Sequence, residues 1–230
     1  MSSNNYPIII SIEGNIGSGK STIMKFLSNN FDNFVSLNGE NLKICYLEEP
    51  VDIWNSFTDK QGKNIIENYY SDQKKYAFQF QMMAYISRLS QFKKAIDDKY
   101  DIIFTERSMY TDKNVFAKML YNDNKIEEIE YKIYNAWFNE FAECLKNMKI
   151  LFVKTNPDIC FARIQKRKRK GEEIIPLGYL QSCSKFHEEW INNVEKKLEI
   201  NGNIDISENL FNENKYFNDI LNKVYILIKI

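Results

Sequence analysis

Residues 14–21 read Gly14-Asn15-Ile16-Gly17-Ser18-Gly19-Lys20-Ser21, with Thr22 next. The spacing is G-x-x-x-x-G-K-[ST], the pattern of a phosphate-binding loop. Its setting is the one that pattern requires. Residues 7–12, Pro-Ile-Ile-Ile-Ser-Ile, read as a buried parallel strand, and residues 21–27 read as the start of a helix. Glycines let the backbone wrap an anion with its N–H groups, and the helix N-terminus adds a favourable dipole. At this spacing Lys20 reaches the β- and γ-phosphates of a nucleoside triphosphate, and the Ser21 hydroxyl takes Mg²⁺. An α/β chain that binds a nucleoside triphosphate is expected.

The rest of the chain agrees with that fold. Apolar runs predict further strands at 42–47, 101–105 and 149–154, with a last short one at 203–206. Helical periodicity predicts helices over 72–96, 108–121, 126–147, 157–170, 176–202 and from 212 onward, while the stretch around 58–62 reads as loop. Strands alternating with helices give a parallel sheet of about five strands covered on both faces. There is no repeat or Pro-rich linker, so one domain over residues 1–230 is expected.

Composition narrows the partners. Net charge is +0, so nothing draws the whole chain to nucleic acid or an anionic membrane. No apolar stretch approaches the ~20 residues of a membrane span, and the first residues lack the regions of a signal peptide. Cys45, Cys144, Cys160 and Cys183 are scattered, without C-x-x-C, and read as reduced packing cysteines of a cytoplasmic protein. The one histidine, His187, cannot build a triad or a metal cluster alone.

In parallel sheets ligands bind beyond the carboxyl ends of strands. Three such ends carry charge here: the phosphate loop, Glu48-Glu49-Pro50 and Glu106-Arg107. Either acidic pair alone also reads as a solvated turn; together they supply what phosphoryl transfer to a hydroxyl needs. One carboxylate can accept the hydroxyl proton, Arg107 can pair with it, and Glu106 can complete the metal shell. The basic run from Arg163 through Arg167 and Arg169 to Gly171 reads as a solvated helix end, a localisation-type patch, or a lid over the triphosphate at about 163–173. In a chain with a phosphate loop the lid is the reading adopted, with Gly171 as hinge and Glu172 beside it.

These residues resemble the deoxyribonucleoside kinase family, of the deoxycytidine and deoxyguanosine kinase type. The resemblance spans nearly the whole chain. It rests on residues 12–22, on Glu49-Pro50-Val51 with Trp54, and on Phe80-Gln81 with Arg88. Residues 106–112 and Arg163 through Glu172 to Pro176-Leu177 complete it. It implies a P-loop kinase fold, usually a homodimer, phosphorylating the 5′-hydroxyl of a deoxynucleoside with ATP and Mg²⁺. By position Glu49 matches the catalytic base and Arg107 its partner. Gln81 matches the reader of the base edge, and Tyr70 with Glu172 the pair that holds the sugar 3′-hydroxyl. Phe80 and Phe116 match the rings that sandwich the base, with Trp54 beside them, although all three also suit an ordinary core. Ala84, Arg88 and Asp112 bear on the base. Cytosine and purine kinases of the family resemble this chain in carrying an Arg–Asp pair, whereas thymidine-favouring members have apolar or small residues there. Tyr69 departs from the cytidine enzyme, which has methionine.

Two rivals remain. A thymidylate-type monophosphate kinase shares the fold but places an arginine where this chain has Glu48. A kinase-like structural subunit can lose catalytic residues, and here Lys20, Ser21, Glu49, Glu106 and Arg107 are all present.

Overall fold

The computed structural model describes residues 6–37, 39, 41–145, 148–169, 171–172, 174–204 and 210–229. Its centre is β1 (Ile8–Glu13), flanked by β3 (Ile102–Glu106) and β4 (Lys149–Lys154). The edges are β2 (Ile44–Leu47) and β5 (Lys197–Asn201), giving the order β2-β3-β1-β4-β5. Every pairing is parallel, so all strands end on the same side. Burial on both faces explains why the inner strands are apolar runs rather than alternating ones.

Ile10, Ile12, Phe104 and Leu151 face α1 (Lys20–Leu37) and α10 (Leu210–Lys229), packing on Leu27, Phe31, Ile220 and Val224. Ile9 and Ile103 face the other way, toward α4 (Gln73–Asp97) and α7 (Glu128–Phe141), where Tyr85, Phe92 and Tyr134 lie. Buried Lys149, at the start of β4, donates to Leu227 O at 2.7 Å and so satisfies a carbonyl in the last turn of α10.

Several boundaries differ from the expected ones, each for a local reason. The stretch after Pro50 is not only loop: α2 (Val51–Ser56) and α3 (Ile65–Ser71) occupy it. Asn64 starts α3 through a capping box, accepting from Glu67 N at 2.8 Å while its own N–H donates to Glu67 Oε2 at 3.1 Å. One helix was expected over 108–121. It divides into α5 (Met109–Thr111), a π-helical turn (Asp112–Ala117) and α6 (Lys118–Asn122).

The basic helix α8 (Pro157–Arg167) stops short of residue 170 because Lys168 is left-handed, at φ 52°. Helix α9 (Leu177–Asn192) ends well before 202, and the last strand lies at 197–201 instead of 203–206. There Leu198 and Ile200 pair with Leu151 and Val153, which a strand six residues later would not do. Of the expected lid and last strand, Lys170, Glu173, Asp205 and Ile206 lie outside the described residues.

His187 is buried in α9, with Nδ1 2.7 Å from Cys183 O. A carbonyl only accepts, so the ring is neutral with its proton on Nδ1. Burial, reinforced by Arg107, pushes its pKa down to about 3. Below the unfolded value of about 6.5 the unfolded chain takes up a proton that the folded one refuses. The contribution is therefore whole above pH 6.5 and lost as pH falls toward 3, at about 1.4 kcal/mol per pH unit. Urea unfolding at pH 6.5 and 5 should show wild type losing about 2 kcal/mol more than His187→Phe over that window. Equal losses would place the acid sensitivity elsewhere.

Candidate active site

The phosphate loop is shaped from beneath. At Gly14, φ 149°, a Cβ would lie 2.7 Å from Val153 O and 2.8 Å from Ser18 Oγ, so no side chain fits. Asn15 Nδ2 donates to Leu180 O at 2.8 Å, tying the loop to α9. Gly14, Asn15 and Ser18 thus build the loop, and Ile16, Gly17, Gly19, Lys20, Ser21 and Thr22 line the cavity above it. Lys20 Nζ donates to Asn15 O at 2.9 Å and lies 3.9 Å from Glu106 Oε1. Burial, with Arg107 adding to it, pulls the Lys20 pKa down to about 8. Ser21 Oγ donates to Glu106 Oε1 at 2.9 Å.

The ends of β2 and β3 meet α4 over this loop. Glu49 Oε1 lies 2.8 Å from Arg88 Nη2 and 3.4 Å from Arg107 Nε. Arg88 also pairs through Nε with Asp112 Oδ2 at 3.1 Å and donates through Nη1 to Glu106 O at 2.8 Å. Arg107 Nη1 donates to Gly14 O at 2.8 Å. Burial opposes the charge on Glu49, but Arg88, Arg107 and Lys20 outweigh it and hold the carboxyl down at about 2. Burial dominates at Asp112 and pushes its pKa up to about 6, against the pull of Arg88 and Arg107. Glu48 is exposed, and its carbonyl accepts from Gln91 Nε2 at 3.2 Å. The two glutamates at the end of β2 therefore face opposite environments.

A cavity of about 400 Å³ runs from the loop to the far side of this cluster. Trp54, Tyr70, Phe80, Gln81, Ala84, Phe116 and Glu172 line it together with Glu49, Arg88, Glu106, Arg107 and Asp112. Gln81, Ala84 and Arg88 share one buried face of α4. The π turn brings Asp112 and Phe116 to the same wall. Gln81 is buried, and its Oε1 has no hydrogen-bond partner among the described residues. A buried amide oxygen of that kind is an acceptor open to a ligand.

The basic segment behaves in two parts. Arg163, expected as a lid arginine, sits inside α8 and lines the cavity while also bracing the scaffold: it donates to Gly202 O at 2.9 Å, Ile204 O at 3.1 Å and Ser18 O at 3.3 Å. Arg167 and Arg169 both ion-pair with Glu172, Arg169 at 3.1 Å, and all three line the cavity. The cavity also includes Ile66, Tyr69 and Tyr179, which were not among the expected site residues. Tyr69 stacks on Phe80 with centroids 4.7 Å apart, and its hydroxyl is 2.9 Å from that of Tyr179. The N-x-x-E spacing at Asn64–Glu67 is the signal that would have placed Ile66 and Tyr69 on a helix beside Tyr70.

The sequence profile described as deoxynucleoside kinase matches residues 10–229. The chain belongs to the deoxynucleoside kinase family. Individual relatives agree. A probable deoxycytidine kinase of fowlpox virus is 33% identical over 229 residues, covering 94% of this chain and 89% of the viral one. Deoxycytidine kinase 2 of Gallus gallus is 32% identical, over 96% of this chain and 88% of its own length. Mitochondrial thymidine kinase 2 of Homo sapiens is 31% identical, over 80% of this chain and 64% of that one.

Glu49 is the ionised group with open cavity beside it and two guanidiniums behind it. Glu49→Gln keeps the shape and removes the charge. Its kcat for a deoxynucleoside should fall ~10²-fold or more with KM little changed. Near-normal turnover would remove Glu49 from the chemistry.

Proposed function

We propose that this chain transfers the γ-phosphoryl group of a nucleoside triphosphate, ATP foremost, to the 5′-hydroxyl of a deoxynucleoside in nucleotide salvage. One observation carries the reading: a carboxylate held between two arginines faces the same cavity as the lysine of a phosphate loop. The nucleoside hydroxyl donates to Glu49, which takes its proton as the oxygen bonds to phosphorus and the oxygen bridging to the β-phosphate leaves. A carboxylate with so low a pKa is a weak base. In a loose transition state the proton moves late, so Glu49 acts first by aiming the oxygen and then by accepting the proton. Arg107 steadies the negative charge that gathers there, and Lys20 meets the β- and γ-phosphates.

The Ser21 hydroxyl and Glu106 carboxylate fit Mg²⁺. They are hard oxygen donors 2.9 Å apart at the loop, and Mg²⁺ commonly takes one or two protein oxygens with the rest from phosphate and water. When bound, the ion would neutralise the developing phosphate charge. Arg167, the last residue of α8, and Arg169 form the mobile lid, and Tyr70 with Glu172 receives the 3′-hydroxyl. The free, scattered cysteines suit a cytoplasmic protein, and we take residues 1–230 as one domain.

The monophosphate rival is disfavoured by what the arginines already do. Arg88 and Arg107 are committed to Glu49, Asp112 and backbone carbonyls, so neither stands ready to hold an acceptor phosphate beside Glu49. A neutral acceptor demands none.

The base stacks between Phe80 and Phe116 and is read by Gln81. Arg88 and Asp112 occupy the space that a thymine methyl would need, which favours cytosine or a purine. Arg88→Met with Asp112→Ala empties that space and leaves Glu49 paired with Arg107; Arg88→Met alone would strand the buried Asp112, and Asp112→Ala alone would leave the guanidinium in place. With ATP and Mg²⁺, a panel of the four deoxynucleosides and their monophosphates should show wild type preferring deoxycytidine, deoxyadenosine or deoxyguanosine over thymidine. The double variant should shift the ratio toward thymidine by ~10-fold or more. A wild-type preference for thymidine would defeat the specificity argument, and turnover of monophosphates alone would defeat the acceptor.

A homodimer is also proposed. Helix α7 exposes Ile129, Ile133, Trp137 and Phe141 at four-residue intervals, an apolar stripe along one face, and Ile86 of the neighbouring α4 is exposed as well. Light scattering should give twice the chain mass for wild type and the chain mass for Ile133→Glu. A monomeric wild type would leave the stripe without this explanation.

A further inference from the structure

Glu13 ends β1, is fully buried, and has no part in the chemistry proposed above. Its carboxylate accepts from Ser11 Oγ at 2.6 Å, from Ser108 Oγ at 2.7 Å and from Thr111 Oγ1. Among the described residues no lysine or arginine forms an ion pair with it. Placing a carboxylate in the core with only neutral donors is costly, and a merely structural joint could be made with less.

Two of its three donors lie just after Arg107, and Arg107 is strained. Its φ is 65°, in the left-handed region that a long side chain avoids. Such conformations persist only where surrounding bonds over-determine them. Here the bonds are visible. Arg107 N–H donates to Ile12 O at 3.1 Å, and Thr105 Oγ1 donates to Arg107 O at 2.7 Å. Ser108, the next residue, is locked to Glu13 while its hydroxyl accepts from Thr111 N at 3.4 Å as the N-cap of α5. This left-handed residue carries the guanidinium that reaches Gly14 O at 2.8 Å and Glu49 at 3.4 Å.

We infer that Glu13 is a positioning residue: its hydroxyl clasp holds Arg107 in the left-handed conformation and so sets the guanidinium against Glu49. The inference rests on the reading of Glu49 and Arg107 as the catalytic pair. A glutamine replaces it only in part. Ser11 and Ser108 share Oε1 while Thr111 takes Oε2, and an amide there loses the charge that strengthens all three bonds and offers Thr111 an N–H, which that hydroxyl meets only by turning from donor to acceptor.

The test is a double-mutant cycle on kcat, KM and Tm with Glu13→Gln, Arg107→Ala and the pair together. Glu13→Gln should lower kcat by ~10–100-fold with nucleoside KM within about threefold. In the Arg107→Ala background it should cost less than about twofold, because the group it positions is gone. Losses that multiply, or a lower Tm with normal kcat for folded enzyme, would overturn the proposal. In a crystal of Glu13→Gln, Arg107 should leave positive φ; its retention there would also overturn it. If that variant does not fold, Ser108→Ala removes one clasp and should show a smaller kcat loss with the same dependence on Arg107; unchanged kcat is the contrary result. Should Arg107→Ala alone leave kcat intact, the catalytic reading of the pair has failed, a result seen in the single variant before Glu13 enters.

Discussion

The Arg88 guanidinium organises everything around it. It hydrogen-bonds Glu49, just after β2, and Glu106 O from β3, each at 2.8 Å, and ion-pairs through Nε with Asp112 of the π turn at 3.1 Å. Burying a guanidinium is expensive, and it is tolerable only when its charge is met. Asp112 and Glu49 outweigh the burial that works against it and raise its pKa further. Removing the guanidinium would leave the buried Asp112 without its ion-pair partner and Glu49 with Arg107 alone, so these elements are tied together through Arg88. The strand ends are brought together by the sheet, but their mutual angle is set by this fork.

The same fork explains an asymmetry across the cavity. Near Glu49 the guanidiniums are held by two carboxylates and by backbone carbonyls, whereas Lys20 bonds only a backbone carbonyl, Asn15 O, with Glu106 Oε1 at 3.9 Å. The Lys20 pKa, pulled down to about 8, reflects burial and a neighbouring arginine more than any strong anion. An incoming polyphosphate would relieve that stress, while a neutral hydroxyl suits the other end. Donor and acceptor polarity are thus separated within about 400 Å³.

Much of this was legible in the residues. The phosphate loop and the four strands at 8–13, 44–47, 102–106 and 149–154 follow from the motif and apolar runs, and the meeting of Glu49 with Arg107 from charged strand ends; the Arg88–Asp112 pair came with the family resemblance, and the Arg88–Glu49 bond was not expected. What was not legible depends on contacts distant in sequence. Lys149 reaching the end of α10, Arg163 spent on Gly202 and Ile204, and the register that places β5 at 197–201 leave no local mark. Short elements also escape periodicity: α2 is 6 residues long and α3 is 7, below the length at which a helical face repeats clearly. The left-handed Arg107 escapes for another reason. Local sterics argue against it, and only the bonds from Ile12, Thr105 and Glu13 hold it there.

Glu172 is where the two halves of the cavity communicate. Its carboxylate holds both Arg167 and Arg169, side chains about one-third exposed. On the proposed reading those arginines move to phosphate and Glu172 turns to the sugar. Each step alone breaks a charge-assisted bond, so each is opposed. Together they exchange one anion for another at the arginines and one donor for another at the carboxylate, and the cost largely cancels. A lid stored in this way gains little from either ligand by itself and most from both. On that reading the carboxylate would link acceptor to donor, and the pairing of Glu172 with both arginines would matter more than their positive charge alone.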